Sequence, residues 1–309
     1  MRAIAVSAFR AEPCPVEVPK PDPGAGEVRV KVEYAALNPL DWQTADCVPD
    51  GAFPFVLGTD FAGRVDMIGS GDNRFRVGDP VFGRATAPPL GRCGAYGEYV
   101  CVPQDSPIAL VPRDMPLQLA AALPSAGTTA AQILSSTAVR SGLSLLVVGA
   151  TGGVGSFLTQ LASARGTAVV AAVRGDEKRR MGALGATATV DTTTGPEALE
   201  AAVRDLYPDG VDALVDLVSA DTASFAAYTA LVRDGGVAVT TRGVAAPPGI
   251  AWADFRLAPT AGVLEELASA VARGELEVPI DMELPLEKAP QALAQNRAGG
   301  ARGKTVFVI

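Results

Sequence analysis

Between residues 27 and 103, apolar and polar positions alternate in short runs. The stretches "EVRVKVEYAAL" (27–37) and "AGRVDMIGSG" (62–71) carry the two-residue period of half-buried strands. "VGDPVFGRA" (77–85) and "GAYGEYVCVP" (94–103) continue the pattern, punctuated by Gly and Pro. This spacing predicts a partly closed antiparallel barrel. Near Pro124 the rhythm changes. Apolar runs "LLVVG" (145–149), "TAVVAAV" (167–173), "TATVD" (187–191), "VDALVDLV" (211–218) and "GVAVTT" (236–241) now alternate with helical stretches at 153–165, 176–184, 196–206 and 221–233. Near-continuous apolar strands separated by helices predict a parallel sheet covered on both faces. A helix over 260–274 and the closing strand "KTVFVI" form a tail expected to fold back onto the first part. The expected fold class is α/β in two domains: an antiparallel barrel from 1–122 and 263–309, and a doubly wound parallel-sheet domain from 123–262.

Composition removes several functions. Lys plus Arg is 26 and Asp plus Glu is 34, a balance of −8, and without a basic run nothing neutralises a phosphate backbone. Nucleic-acid binding is therefore not expected. No segment reaches 18 uninterrupted apolar residues, and the N-terminal apolar stretch is too short for a signal peptide. Neither a membrane nor secretion is expected. Cys14, Cys47, Cys93 and Cys101 show no paired spacing, so a reducing cytoplasm is the expected compartment. The chain has no histidine, which removes the commonest general base, Ser-His and Cys-His pairs, and the commonest zinc ligand.

In "VVGATGGVGSFLTQLA" glycines fall between a buried strand and an amphipathic helix. Thr151, Gly152, Gly153, Val154 and Gly155 would let backbone N–H groups approach a pyrophosphate at the positive helix end. A tight structural turn is the plainer alternative. The second strand selects the cofactor. An acid there would grip the ribose 2′-hydroxyl of NAD, and a base the 2′-phosphate of NADP. The strand ends "AAVRGDEKRR", with Arg174 at its tip and Lys178 and Arg179 in the next helix. Asp176 is the competing acid, but it follows Gly175 and is placed to cap that helix. NADPH is the expected cofactor. Lys178 could also be one more charge on a solvated helix face.

The sequence as a whole resembles the medium-chain dehydrogenase/reductase superfamily, in its zinc-independent quinone oxidoreductase branch. The resemblance rests on "AALNPLDWQ" (35–43), "FPFVLGTDFAGRVDMIGSG" (53–71), "RFRVGDPVFG" (74–83), "GAYGEYVCVP", "AAALPSAGTTAAQIL" (120–134), the glycine stretch and "RGKTVFVI", in that order. It implies a GroES-like catalytic domain, split in sequence, with the Rossmann domain inserted. It also accounts for the missing histidine: where zinc-using members resemble "CHTD" and "GHE", this chain has "NPLD" and "GTD", so Asn38, Thr59 and Asp60 stand at the ligand positions and no zinc site is expected.

The same resemblance implies roles for single residues. Asn38 would lie near the nicotinamide, Thr129 on the cofactor, Gly153 and Val154 at the pyrophosphate, and Lys178 at the 2′-phosphate. Thr241, Arg242 and Gly243 would pass beside the nicotinamide. Asn38, Trp42 and Asp60 are the catalytic candidates. Asn38–Pro39 also reads as a simple turn, and Thr129 as a helix-start hydroxyl. Some enoyl-reducing relatives carry a tyrosine soon after the "NPxD" motif. Here "WQTADCVPDG" has none, so a solvent proton is the simpler expectation and Cys47 is read as a buried, inert thiol.

These implications converge on hydride transfer from NADPH to a quinone or to the double bond of an apolar or aromatic conjugated carbonyl, in a dry cleft between domains lined by Trp42, residues 53–55 and the loop after Thr241. The alternative is a non-catalytic or regulatory NADPH-binding protein. A short-chain reductase would need a YxxxK pair, and none of Tyr34, Tyr96, Tyr99, Tyr207 or Tyr228 has Lys four residues on. The segment "GIAWADFRLAP" reads as an edge strand that would pair two Rossmann sheets, giving a homodimer. The loops at 84–93 and 243–252 are short for this branch and suggest an open or specialised substrate cleft.

Overall fold

Strand Glu27–Ala36 organises the first unit. Val28, Val30 and Val32 are buried along it while Lys31 is exposed, the alternation of a sheet with one face on the core. It pairs antiparallel with Asp60–Ile68, Tyr99–Pro103 and Lys304–Val308, so the C-terminal strand joins the N-terminal sheet. The same sheet continues outward through Pro80–Arg84 and Ile108–Leu110 on one side and Ile280–Pro285 on the other. Register shifts between Arg29 and Val30 and between Val32 and Tyr34 bend the central strand. Gly63 faces this bend, and a Cβ there would sit 2.1 Å from the Lys31 carbonyl oxygen. A three-stranded sheet of Cys14–Glu17, Arg2–Val6 and Phe55–Val56 completes the barrel-like wall. Phe61, Phe75, Phe82, Tyr96 and Phe307 are wholly buried within it, and Tyr96 meets the Phe307 ring edge-on at 5.1 Å.

The structure is a computed structural model that describes all residues except 48–51, 86–93 and 138. Cys93 and most of the 84–93 loop lie outside the described residues. The chain divides into two compact units, Met1–Thr128 with Pro259–Ile309, and Thr129–Ala258.

In the second unit six strands run parallel, in the order Ala188–Asp191, Ala168–Val173, Ser144–Val148, Val211–Asp216, Val232–Thr240 and Ala251–Asp254. Strand Ser144–Val148 is buried at every residue. The chain winds outward from it first to one side and then to the other, so its carboxyl end is the topological switch point of the sheet. One helix is shorter than the sequence pattern indicates: it spans Thr222–Thr229 rather than 221–233. Leu231 and Val232 extend its apolar pattern, yet Val232 already pairs with Val211 as strand. A bulge then absorbs Arg233–Gly236, where Gly235 takes φ +74°.

Candidate active site

At the switch point the glycines shape one turn. Gly149 has φ +85°, open to glycine at little cost. A Cβ on Gly155 would lie 2.4 Å from the Gly149 carbonyl oxygen and 2.6 Å from the Ala150 Cα, so the helix can start this close to the strand only with glycine there. The helix Gly153–Ala164 begins at Gly152 with no side-chain cap and no acid in its first turn. Its first N–H groups have no intrahelical acceptors and carry the positive end of the helix dipole. Thr151, Gly152, Gly153 and Val154 are half-buried, Gly155 fully.

The neighbouring strand tip supplies charge. Arg174 and Lys178 are exposed, and neither forms an ion pair among the described residues. Asp176 is exposed and accepts from the Lys178 backbone N–H at 3.3 Å, but the residue that precedes helix Lys178–Ala183 is Glu177, and no side chain caps that helix. The Gly175 N–H donates to Asp191 Oδ1 at 2.8 Å and Thr192 Oγ1 to the Val173 carbonyl at 2.9 Å, fixing the loop that carries Arg174. Arg180 Nη2 reaches back to the Thr151 carbonyl at 3.4 Å, linking the basic helix to the glycine turn.

Two further strand ends line the same edge. After Val211–Asp216, Asp216 Oδ1 accepts the N–H groups of Val218 and Ser219, while Asp216 Oδ2 and Ser219 Oγ are buried without a partner. After Val232–Thr240, the Arg242 N–H is held by Thr240 Oγ1 and the Gly243 N–H by Asp254 Oδ1, each at 3.1 Å, leaving the Arg242 side chain exposed and Thr241 half-buried. Uncapped helix N–H groups, paired surface cations and an orphaned hydroxyl are a donor set that fits a phosphate-bearing dinucleotide. Thr129 is half-buried beyond the first turn of helix Pro124–Ser136, so its hydroxyl does not start that helix.

The first unit holds a buried polar cluster. Asn38 precedes helix Pro39–Ala45, with Pro39 at its first position; the segment is a helix entry, not a simple turn. The Asn38 N–H donates to Asp41 Oδ2 at 2.8 Å, half of a capping box. Asp41 also accepts from Thr59 Oγ1 and Tyr96 Oη, each at 2.7 Å. Burial pushes the Asp41 carboxyl up to about 6 against the pull of these donors. Burial and the Asp41 charge raise the Tyr96 phenol well above its ordinary range. Asp60, wholly buried, accepts from Ser125 N at 2.9 Å and Ser125 Oγ at 2.6 Å, with Arg84 Nε at 3.6 Å from the cross-strand position. Lys304 Nζ donates to Asn38 Oδ1 and to the Leu37 carbonyl, both at 2.7 Å.

Those bonds decide the zinc question. The oxygens of Asn38, Thr59 and Asp60 are spent on a lysine, a carboxylate and a serine, none is a thiolate or imidazole, and the residues do not fit a tetrahedral zinc site. Trp42 is half-buried; its Nε1 donates to Asn296 Oδ1 at 3.1 Å and Arg297 lies 5.3 Å from its ring centre. Cys47 is exposed, a correction to the buried thiol expected from sequence. The helix ends at Ala45, and Cys47 hangs on the following turn through its N–H to Thr44 O, away from the apolar face.

Family profiles for an alcohol dehydrogenase GroES-like domain and a zinc-binding dehydrogenase match residues 24–113 and 184–307. The 2-methylene-furan-3-one reductase of Solanum lycopersicum is 33% identical over 93% of this chain and 73% of its own length. The chain belongs to the medium-chain dehydrogenase/reductase superfamily, in its quinone oxidoreductase branch. Another member, the chloroplastic NADPH-dependent alkenal/one oxidoreductase of Arabidopsis thaliana, is 31% identical over 91% of the chain and 71% of its own length. The quinone oxidoreductase structure from Coxiella burnetii superposes with a TM-score of 0.87 at 27% identity, covering 100% and 99% of the two chains.

Within this superfamily assignment, the mixed architecture of antiparallel sheet and parallel Rossmann sheet is the one that the strand patterns and the resemblance predict. Sequence reasoning passed over Asp41, Tyr96, Arg84, Ser125 and Lys304. Lys304 had a signal: it shares the inward face of the last strand with Val306, an unusual place for a lysine.

Proposed function

We propose that the protein is an NADPH-dependent reductase of quinones and of the activated double bonds of enones, with no metal in the reaction. One observation carries this reading: an uncapped helix start at the switch point, beside two exposed bases free of ion pairs among the described residues. Bound NADPH supplies a hydride from C4 of its nicotinamide. The N–H groups from Gly152 to Gly155 hold its pyrophosphate, Arg174 and Lys178 hold the 2′-phosphate, and Thr129 and Thr241 to Gly243 steady the rest.

The acceptor is electrophilic without a Lewis acid, because conjugation already polarises its carbonyl. Asn38 donates from Nδ2 to the oxygen on which negative charge grows. Trp42 offers one aromatic edge to the substrate, its far side being covered by Arg297. Asp60, sealed from solvent with both oxygens bound, holds the wall through Ser125 and Arg84 and does not touch the reacting atoms. The balance is hydride to carbon or quinone oxygen and one proton from solvent, giving the saturated carbonyl or hydroquinone and NADP⁺.

The test is NADPH oxidation with a panel of quinones and enones. Turnover with either class supports the reading; tight NADPH binding with no turnover favours a non-catalytic NADPH-binding protein. Strand Ala251–Asp254 is the sheet edge, with Trp252 exposed, and supports a homodimer joined there. A monomeric mass at micromolar concentration refutes that. A cytoplasmic site accords with the absence, among the described residues, of any helix long and apolar enough to cross a membrane, and fractionation of the source cells tests it.

A further inference from the structure

Lys304 is 3% exposed, on a strand whose neighbours Val306 and Phe307 belong to the core. A buried ammonium is costly unless matched, and the usual match is a carboxylate. Lys304 has none within 4.0 Å among the described residues. Its two bonds go instead to the Leu37 carbonyl and to Asn38 Oδ1, both at 2.7 Å, where the central strand hands over to helix Pro39–Ala45. Burial lowers the Lys304 pKa, and the charges of Asp60 and Asp41 oppose that fall.

The bond to Asn38 has a geometric consequence. A primary amide offers an acceptor on one side and two donors on the other, and a lysine can only donate. With Oδ1 facing Nζ, Nδ2 must face away. Its one contact there is a long 3.4 Å bond to the Ala36 carbonyl, which leaves its second hydrogen uncommitted among the described residues. A cation on the amide oxygen also polarises the group and makes the N–H a stronger donor.

We propose that Lys304 is a positioning residue: it locks the Asn38 amide with Nδ2 outward and polarised, so that this N–H meets the carbonyl oxygen of the acceptor. This rests on the reductase reading, in which Asn38 is that donor. Lys304 itself touches neither substrate nor cofactor.

The experiment has a structural and a kinetic arm. In an atomic-resolution crystal structure of the wild-type protein, Asn38 Oδ1 is expected toward Lys304. In the Lys304→Met variant the amide turns over or splits between two orientations. Nitrogen facing Lys304, or an amide unmoved in the variant, overturns the proposal, and the wild-type half of this arm needs no variant to fold. In the kinetic arm Asn38→Ala lowers kcat about 100-fold, the effect of losing one oxyanion donor. Lys304→Met alone lowers it at least about tenfold, with the NADPH dissociation constant within about twofold of wild type. In the Asn38→Ala background Lys304→Met costs less than about twofold, because residues acting as one unit are not additive. Losses that multiply across the two sites overturn the proposal. A wild-type protein that turns over no acceptor refutes the reductase reading, while the crystallographic arm still decides whether Lys304 sets the amide.

Discussion

Replacing Arg174 and Lys178 together by alanine tests the cofactor assignment where the structure is most explicit. Both side chains are exposed and have no ion pair among the described residues, so their removal breaks no internal bond. Surface changes of that kind alter stability by no more than about 0.5 kcal/mol, so the melting temperature serves as an internal control. The loop that presents Arg174 is held by Asp191 through the Gly175 N–H at 2.8 Å, and that bond survives the substitutions.

What is lost is the contact to a 2′-phosphate. A buried charge-assisted hydrogen bond contributes about 1.5–3 kcal/mol, and exposure to solvent reduces each to about 1 kcal/mol. Two such contacts give about 2 kcal/mol, or roughly a 30-fold rise in the NADPH dissociation constant. NADH lacks the phosphate and should bind the variant within about twofold of wild type, since a contact absent from its complex contributes nothing to its affinity. Isothermal calorimetry with both nucleotides measures the ratio directly. Repeating it in high salt should shrink the wild-type preference, because these charges are screened. Equal losses for the two cofactors, or no loss for either, would refute the argument that these bases read the 2′-phosphate.

Three further outcomes follow from the packing. Gly155→Ala places a methyl against the backbone of Gly149 and Ala150 and should cost about 1–3 kcal/mol in denaturant melts, together with most of the nucleotide affinity. Asp41→Asn should flatten part of the pH dependence of stability. The carboxyl titrates near 3.8 unfolded and about 6 folded, so its protonated form favours the fold below 3.8 and that contribution is lost as pH rises through 6. The stability of the variant relative to wild type should therefore improve by about 2 kcal/mol between pH 4 and 7, read from urea curves; a constant difference contradicts the assignment. Ser125→Ala leaves wholly buried Asp60 short of its 2.6 Å hydroxyl partner and Arg84 short of its 3.0 Å one, and should cost about 1–3 kcal/mol in the same assay.

Much of this was legible in the chain because short-range patterns carry it. The strand, glycine turn and helix at 144–164 are contiguous, and Gly149 and Gly155 there each answer a local steric demand. The strand end at Arg174 could be read the same way. The helix ending at Thr229 could not, because Leu231 and Val232 are apolar in either state and only pairing with Val211 makes them strand. The buried cluster was harder still. Asn38 with Asp41, Thr59, Tyr96, Ser125 and Lys304 come from five separated stretches, and Lys304 joins the others only through the pairing of the C-terminal strand with Glu27–Ala36. Asp41 was visible in "NPLD" but had no evident role until Tyr96 and Thr59 closed on it. Cys47 was misjudged because residue type favours burial for cysteine, whereas its place after a helix end decides its exposure.

Transfer of label tests the central claim most directly. The protein, dialysed against a chelator, is given NADPH deuterated at one face of C4 together with an α,β-unsaturated ketone. One of the two stereoisomers should deliver its deuterium to the β-carbon of the product, seen by mass spectrometry and NMR, while the α-proton comes from solvent. A product without label from either isomer, or a reaction that proceeds only after zinc is restored, would contradict the account.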